Sequence, residues 1–197
     1  ALPIWRRDEL GCPIADAGAH RRFGVIGGAS DAFLLVRAGE TGTSTTLLPL
    51  LWCCCNLSKS LGNYQLGRSI DRIGPRRSLM IGWLAFSGVY LGVGLAGAAW
   101  EIWILFIAYG LCCGLIEPAE RAMVAHLVGA ERKGLAYGWY NFALGIATLP
   151  SSLLFGGVYQ YAGPAAAFGW GAALSLLAAA LLLRVGPVDG APEAQAA

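Results

Sequence analysis

The stretch SLMIGWLAFSGVYLGVGLAGAAW, Ser78 to Trp100, runs for 23 residues without a charge. A helix crosses the roughly 30 Å hydrocarbon layer of a bilayer in about 20 residues, so this run has the length of one membrane span. Further along, Gly134 to Leu183 is free of charge for 50 residues, enough for two spans with a turn between them. Of the 197 residues, 56% are hydrophobic and 13% charged, and the mean hydropathy is +0.58. Helices of a soluble domain need a polar face, and these runs have little of one. The composition therefore points to a helical membrane protein and away from a soluble fold.

Outward from Ser78, the spacing predicts an all-α, polytopic bundle of about six helices. The full spans are about Leu47 to Leu66, Ser78 to Ala99, Ile102 to Ala125, Leu135 to Tyr159 and Ala165 to Leu183. A shorter apolar segment, Phe23 to Val36, precedes them and is interrupted by Asp31. Fourteen residues do not comfortably cross a bilayer, so this first helix is expected to be truncated or re-entrant. Gly42, Gly74-Pro75, Gly129 and Gly163-Pro164 mark the turns. Residues 1–22 read as a polar leading segment or a connecting loop, 23–185 as the bundle, and 186–197 as a solvated tail rich in Ala, Pro and Gly. The chain begins without methionine, which suits a partial sequence.

Charge is few in number but ordered in place. With six crossings, eleven of the fourteen basic residues fall on one side of the membrane, GRSIDRIGPRR (Gly67 to Arg77) among them. Only Arg37, Glu40 and Glu101 fall on the other. The positive-inside rule makes the basic side cytoplasmic and puts both termini there.

Ionisable residues at membrane depth are costly and usually face a bundle interior. Asn56, Lys59, Ser60 and Asn63 lie on one helical stripe that Gly67 continues; Gly110, Cys113, Gly114, Glu117 and Arg121 lie on a second. Tyr137, Asn141, Gly145, Thr148 and Ser152 form a third. Three helices are thus expected to turn polar faces to a hydrated cavity, where Lys59, Glu117 and Asn141 meet a solute or a proton. Glu117 and Arg121 can pair at i, i+4, although Arg121 lies near enough to the cytoplasmic end to snorkel. Interhelical hydrogen bonding that only holds the bundle is the plainer account of the Asn, Ser and Thr positions. Gly88 and Gly92, like Gly110 and Gly114, form GxxxG pairs that let helices approach closely, and Pro118 and Pro150 can bend their helices.

Enzymatic and nucleic-acid functions find no support. Six cysteines offer no metal-ligand spacing, His20 and His126 are the only histidines, and no nucleophile sits beside a base. No cofactor motif is present, and the arginines lie in a short loop between helices.

In that position GRSIDRIGPRR resembles the cytoplasmic loop motif of the major facilitator superfamily of secondary transporters. The family pattern is Gly, three residues, Asp, Arg, one residue, Gly, then basic residues. Gly67, Asp71, Arg72, Gly74, Arg76 and Arg77 match it, while Pro75 stands where the family usually has arginine. The segments EPAERAMVAHLVGAERKGLAYGWYNF and LPSSLLFGGVYQYAGPAAAF also resemble the carboxy-terminal six-helix half of such a protein. The resemblance implies a secondary active transporter working by alternating access. It implies proton-coupled efflux of a small solute across a bacterial inner membrane, with transport needing a missing amino-terminal half or a second copy. It also implies that Asp71 and the arginines latch the cytoplasmic face, through a neighbouring helix terminus, acidic groups or lipid phosphates. The alternative is a non-transporting membrane module that assembles with a partner.

Overall fold

The computed structural model describes residues 31–127 and 133–184. Among these it contains six α-helices and no strand: α1 (Asp31–Glu40), α2 (Leu48–Ile73), α3 (Pro75–Leu95), α4 (Ala99–Leu127), α5 (Lys133–Ala162) and α6 (Pro164–Arg184). A single 3-10 turn, Thr45–Leu47, leads into α2. Four helices, α3 to α6, are long and apolar enough to cross a membrane. The 26-residue α2 has the length of a span but carries Lys59, Arg68, Asp71 and Arg72.

Three of the four expected turns appear as glycines in the left-handed region, Gly42 at φ 94°, Gly74 at 90° and Gly163 at 87°. Gly129 lies outside the described residues. Gly74 and Gly163 use one device. Each glycine amide closes the preceding helix, onto the Ile70 carbonyl at 2.9 Å and the Tyr159 carbonyl at 3.1 Å. The following proline then opens the next helix, where its missing N–H costs nothing.

Two boundaries differ from expectation. Helix α2 continues past Leu66 to Ile73, so most of GRSIDRIGPRR is helix, and only Gly74 forms the break. A lone Gly67 costs an exposed helix about 1 kcal/mol, too little to end it. At the other face α1 runs beyond Val36 to Glu40, while Phe23 to Ser30 of the expected segment lie outside the described residues.

Helix α3 sits centrally, packed against α4 and α6, and α2 packs along α4. The main core joins Leu34, Leu51, Tyr90, Ile102, Phe106, Phe155 and Phe168 from all six helices. Its rings interlock: Phe86 stacks on Tyr90 at 4.3 Å, and Phe168 meets Tyr90 and Phe155 edge-on, each at 5.3 Å. A second cluster at the basic end gathers Ile70, Leu79, Trp83, Ala119, Ala178 and Leu182. Between α3 and α6, two buried serines donate across the contact, Ser87 to the Ala172 carbonyl and Ser175 to that of Trp83. Each such bond satisfies a polar group where water is absent.

Candidate functional site

Helices α2 and α4 run side by side in the same direction, and small residues set how close they come. A methyl group placed on Gly110 would collide with the Cys55 carbonyl, and one on Gly114 would lie 2.6 Å from the carbonyl of Lys59. Ser58 donates to the Ile107 carbonyl at 2.6 Å across the same seam. The Gly110–Gly114 pair is therefore a true close-packing motif. Gly88 and Gly92 are not: nothing lies within 4 Å of Gly88, and Gly92 alone meets a neighbour, Leu105.

Midway along this seam, Lys59 of α2 and Glu117 of α4 form an ion pair at 2.5 Å, both side chains half-buried. The expected pairing of Glu117 with Arg121 does not occur. The close α2–α4 contact offers the carboxylate an ammonium from another helix, while Arg121 is exposed. Pro118 has no N–H, so the Gly114 carbonyl lacks its usual helical donor directly beside the pair.

The third stripe does not join them. Asn141 donates to the Tyr137 carbonyl of its own helix at 2.8 Å and is exposed, as are Gly145 and Thr148. Asn56 likewise bonds within its helix, to the Trp52 carbonyl, and Asn63 is exposed. A short amide on an apolar helix satisfies itself on the carbonyl one turn back when no partner is in reach. Helix α5 meets α4 near the basic end instead, where Tyr137 donates to the Arg121 carbonyl at 3.0 Å and Tyr140 to Glu120 at 3.3 Å.

In the loop motif, Arg76 donates to the Leu182 carbonyl at 2.7 Å, so the motif grips the last turn of α6. Arg72 and Arg77 are exposed, and Gly67 has nothing within 4 Å of its missing side chain. The Asp71 side chain lies outside the described residues.

Three contacts escaped the sequence pattern. Tyr109 donates to Asp31 at 2.6 Å, joining α4 to α1. Tyr159 donates to Glu40 at 2.6 Å, joining α5 to α1. Arg37 donates to the Ala96 and Val93 carbonyls at the end of α3, at 2.6 and 3.4 Å. Neither Tyr109 nor Tyr159 is one of the residues of the polar stripes, and their partners here lie 78 and 119 residues away. Among the described residues no group of His, Cys, Asp and Glu could hold a metal ion.

Known proteins provide an independent comparison. The chain is 26% identical over 140 residues to an uncharacterized MFS-type transporter of Methanocaldococcus jannaschii, covering 71% of this chain and 35% of that protein. It is 29% identical over 97 residues to an uncharacterized MFS-type transporter of Mycobacterium tuberculosis, covering 49% of this chain and 17% of the relative. The chain thus spans about a third or less of the curated relatives it matches. A family model described as Major Facilitator Superfamily matches residues 24–197, a range that takes in α1, the loop motif and every later helix. By that match this chain, an integral membrane protein, belongs to the Major Facilitator Superfamily.

Proposed function

We propose that this chain forms one half of a secondary active transporter, carrying part of the wall of a solute cavity between two six-helix halves. The observation that carries the reading is the Lys59–Glu117 pair. Two opposite charges on parallel helices, half-exposed within segments of membrane-spanning length, are expensive to keep unless they act. A proton taken up by Glu117 would dissolve the pair and release Lys59 to a solute, which couples proton movement to a change in the cavity wall. Asn56, Asn63, Arg121, Tyr137 and Asn141 would line the same path once a second half, or a second copy, closes the cavity. The direction we assign is efflux of a small solute, with the basic face towards the cytoplasm of a bacterial cell. Asp71 and the motif arginines would fasten that face, and the grip of Arg76 on α6 supports such a role.

The test is transport by the full-length protein in proteoliposomes, driven by an imposed pH gradient and scored over a panel of small organic cations, anions and neutral solutes. Glu117→Gln should lower gradient-driven flux by about tenfold or more, because Lys59 is then left unpaired at membrane depth. A wild-type protein that moves none of the panel overturns the transport reading, and unchanged flux in the variant overturns the role of Glu117.

A further inference from the structure

The face opposite the basic loops carries a second set of polar contacts, all centred on α1. Its three ionisable side chains each hold a different helix. Asp31 takes the Tyr109 hydroxyl of α4, Arg37 caps the end of α3, and Glu40 accepts the Tyr159 hydroxyl of α5. Arg37 also pairs with Glu40 at 3.4 Å, so a single carboxylate oxygen joins the guanidinium that caps α3 to the tyrosine on α5. Phe33 adds ring contacts to Phe155 at 5.1 Å and Tyr159 at 5.8 Å, and its ring tip lies 3.0 Å from where a side chain on Gly156 would begin.

The packing of α5 is uneven along its length. No residue from Tyr137 to Pro150 is buried, whereas Ser151 and Phe155 are, beside the α1 contacts. The helix is held at its basic end by buried Ala136 and the Tyr137 and Tyr140 bonds to α4, and beyond the unburied middle only in its last third, where the Glu40–Tyr159 bond sits.

We infer that Arg37, Glu40 and Tyr159 form a releasable latch on the face opposite the basic loops, fastening the outer third of α5 to α1 and α3. Its parts suit release. Glu40 is 41% exposed, so water can replace the tyrosine hydroxyl, and the Arg37 cap keeps α3 in place when α5 lets go. A wholly buried apolar contact would hold more firmly but could not exchange its partner for water. The latch requires no particular solute and stands apart from the Lys59–Glu117 pair.

Hydrogen–deuterium exchange of the full-length protein in lipid nanodiscs tests it. Tyr159→Phe removes one hydroxyl and keeps the ring packing. It should raise exchange about tenfold in residues 151–163, the loss of one charge-assisted hydrogen bond, and leave α3 and α6 unchanged. Glu40→Gln, which keeps an acceptor for Tyr159 but breaks the pair with Arg37, should give a smaller rise in the same segment. Unchanged exchange in residues 151–163, or a uniform rise along all helices that marks simple destabilisation, overturns the latch.

Discussion

At the scale of single residues, glycine separates packing from permissiveness. Gly114 and Gly88 are both helical glycines in GxxxG pairs, yet only Gly114 has a neighbouring backbone where a side chain would go. Gly114→Ala should force α2 and α4 apart and cost about 1–3 kcal/mol. Gly88→Ala should be neutral or stabilising by up to about 1 kcal/mol, because alanine is the better helix former. Unfolding of each purified variant in mixed micelles with increasing dodecyl sulfate reads the difference, and equal midpoints would refute it. Sequence spacing marked both pairs alike, since a GxxxG says which residues are small and not which helix stands opposite. Lys59 and Glu117 were legible for a stronger reason: charge at membrane depth is rare enough to stand out against an apolar background. That they pair with each other depends on the α2–α4 contact, which the one-dimensional pattern does not contain.

At the scale of the helix, ends were easier to read than faces. The Gly-Pro steps at Gly74 and Gly163 are visible in the sequence because no other residue combines a left-handed turn with a helix start so cheaply. Helix α4 starts by a different device. Glu101 folds back to accept the Gly97 and Ala98 amides at 2.8 and 3.1 Å, so one of the three charges read on the outer side is a cap. At the basic face Arg76 does the corresponding work for the carboxy-terminal turn of α6, where the helix dipole favours a cation. Arg76→Gln should therefore lower stability by about 1–2 kcal/mol. The exposed neighbour Arg77→Gln should change it by less than about 0.5 kcal/mol. Thermal unfolding in micelles distinguishes the two, and equal losses would mean that the motif arginines act through charge alone.

At the scale of the whole molecule, large apolar side chains such as Leu57, Leu95, Leu149 and Leu153 stand on the surface, as a bilayer-embedded bundle permits. What organises the two ends is polar. One end carries Arg72, Arg76 and Arg77 around the α2–α3 turn and the α6 terminus; the other carries Arg37, Glu40 and Glu101, all engaged in contacts that tie or cap helices. The difference matters for orientation, because exposed arginines such as Arg72 and Arg77 can meet water and lipid phosphate and resist translocation, while an arginine already matched to a carboxylate and two carbonyls does so less. The basic end should then be cytoplasmic even though Arg37 lies opposite. Ser44→Cys, in the α1–α2 turn, should react with a membrane-impermeant maleimide on intact cells, above the background of the native cysteines. Arg77→Cys should react only after the membrane is permeabilised. The reverse pattern would invert the topology, and with it the face on which the Arg37–Glu40–Tyr159 contacts open.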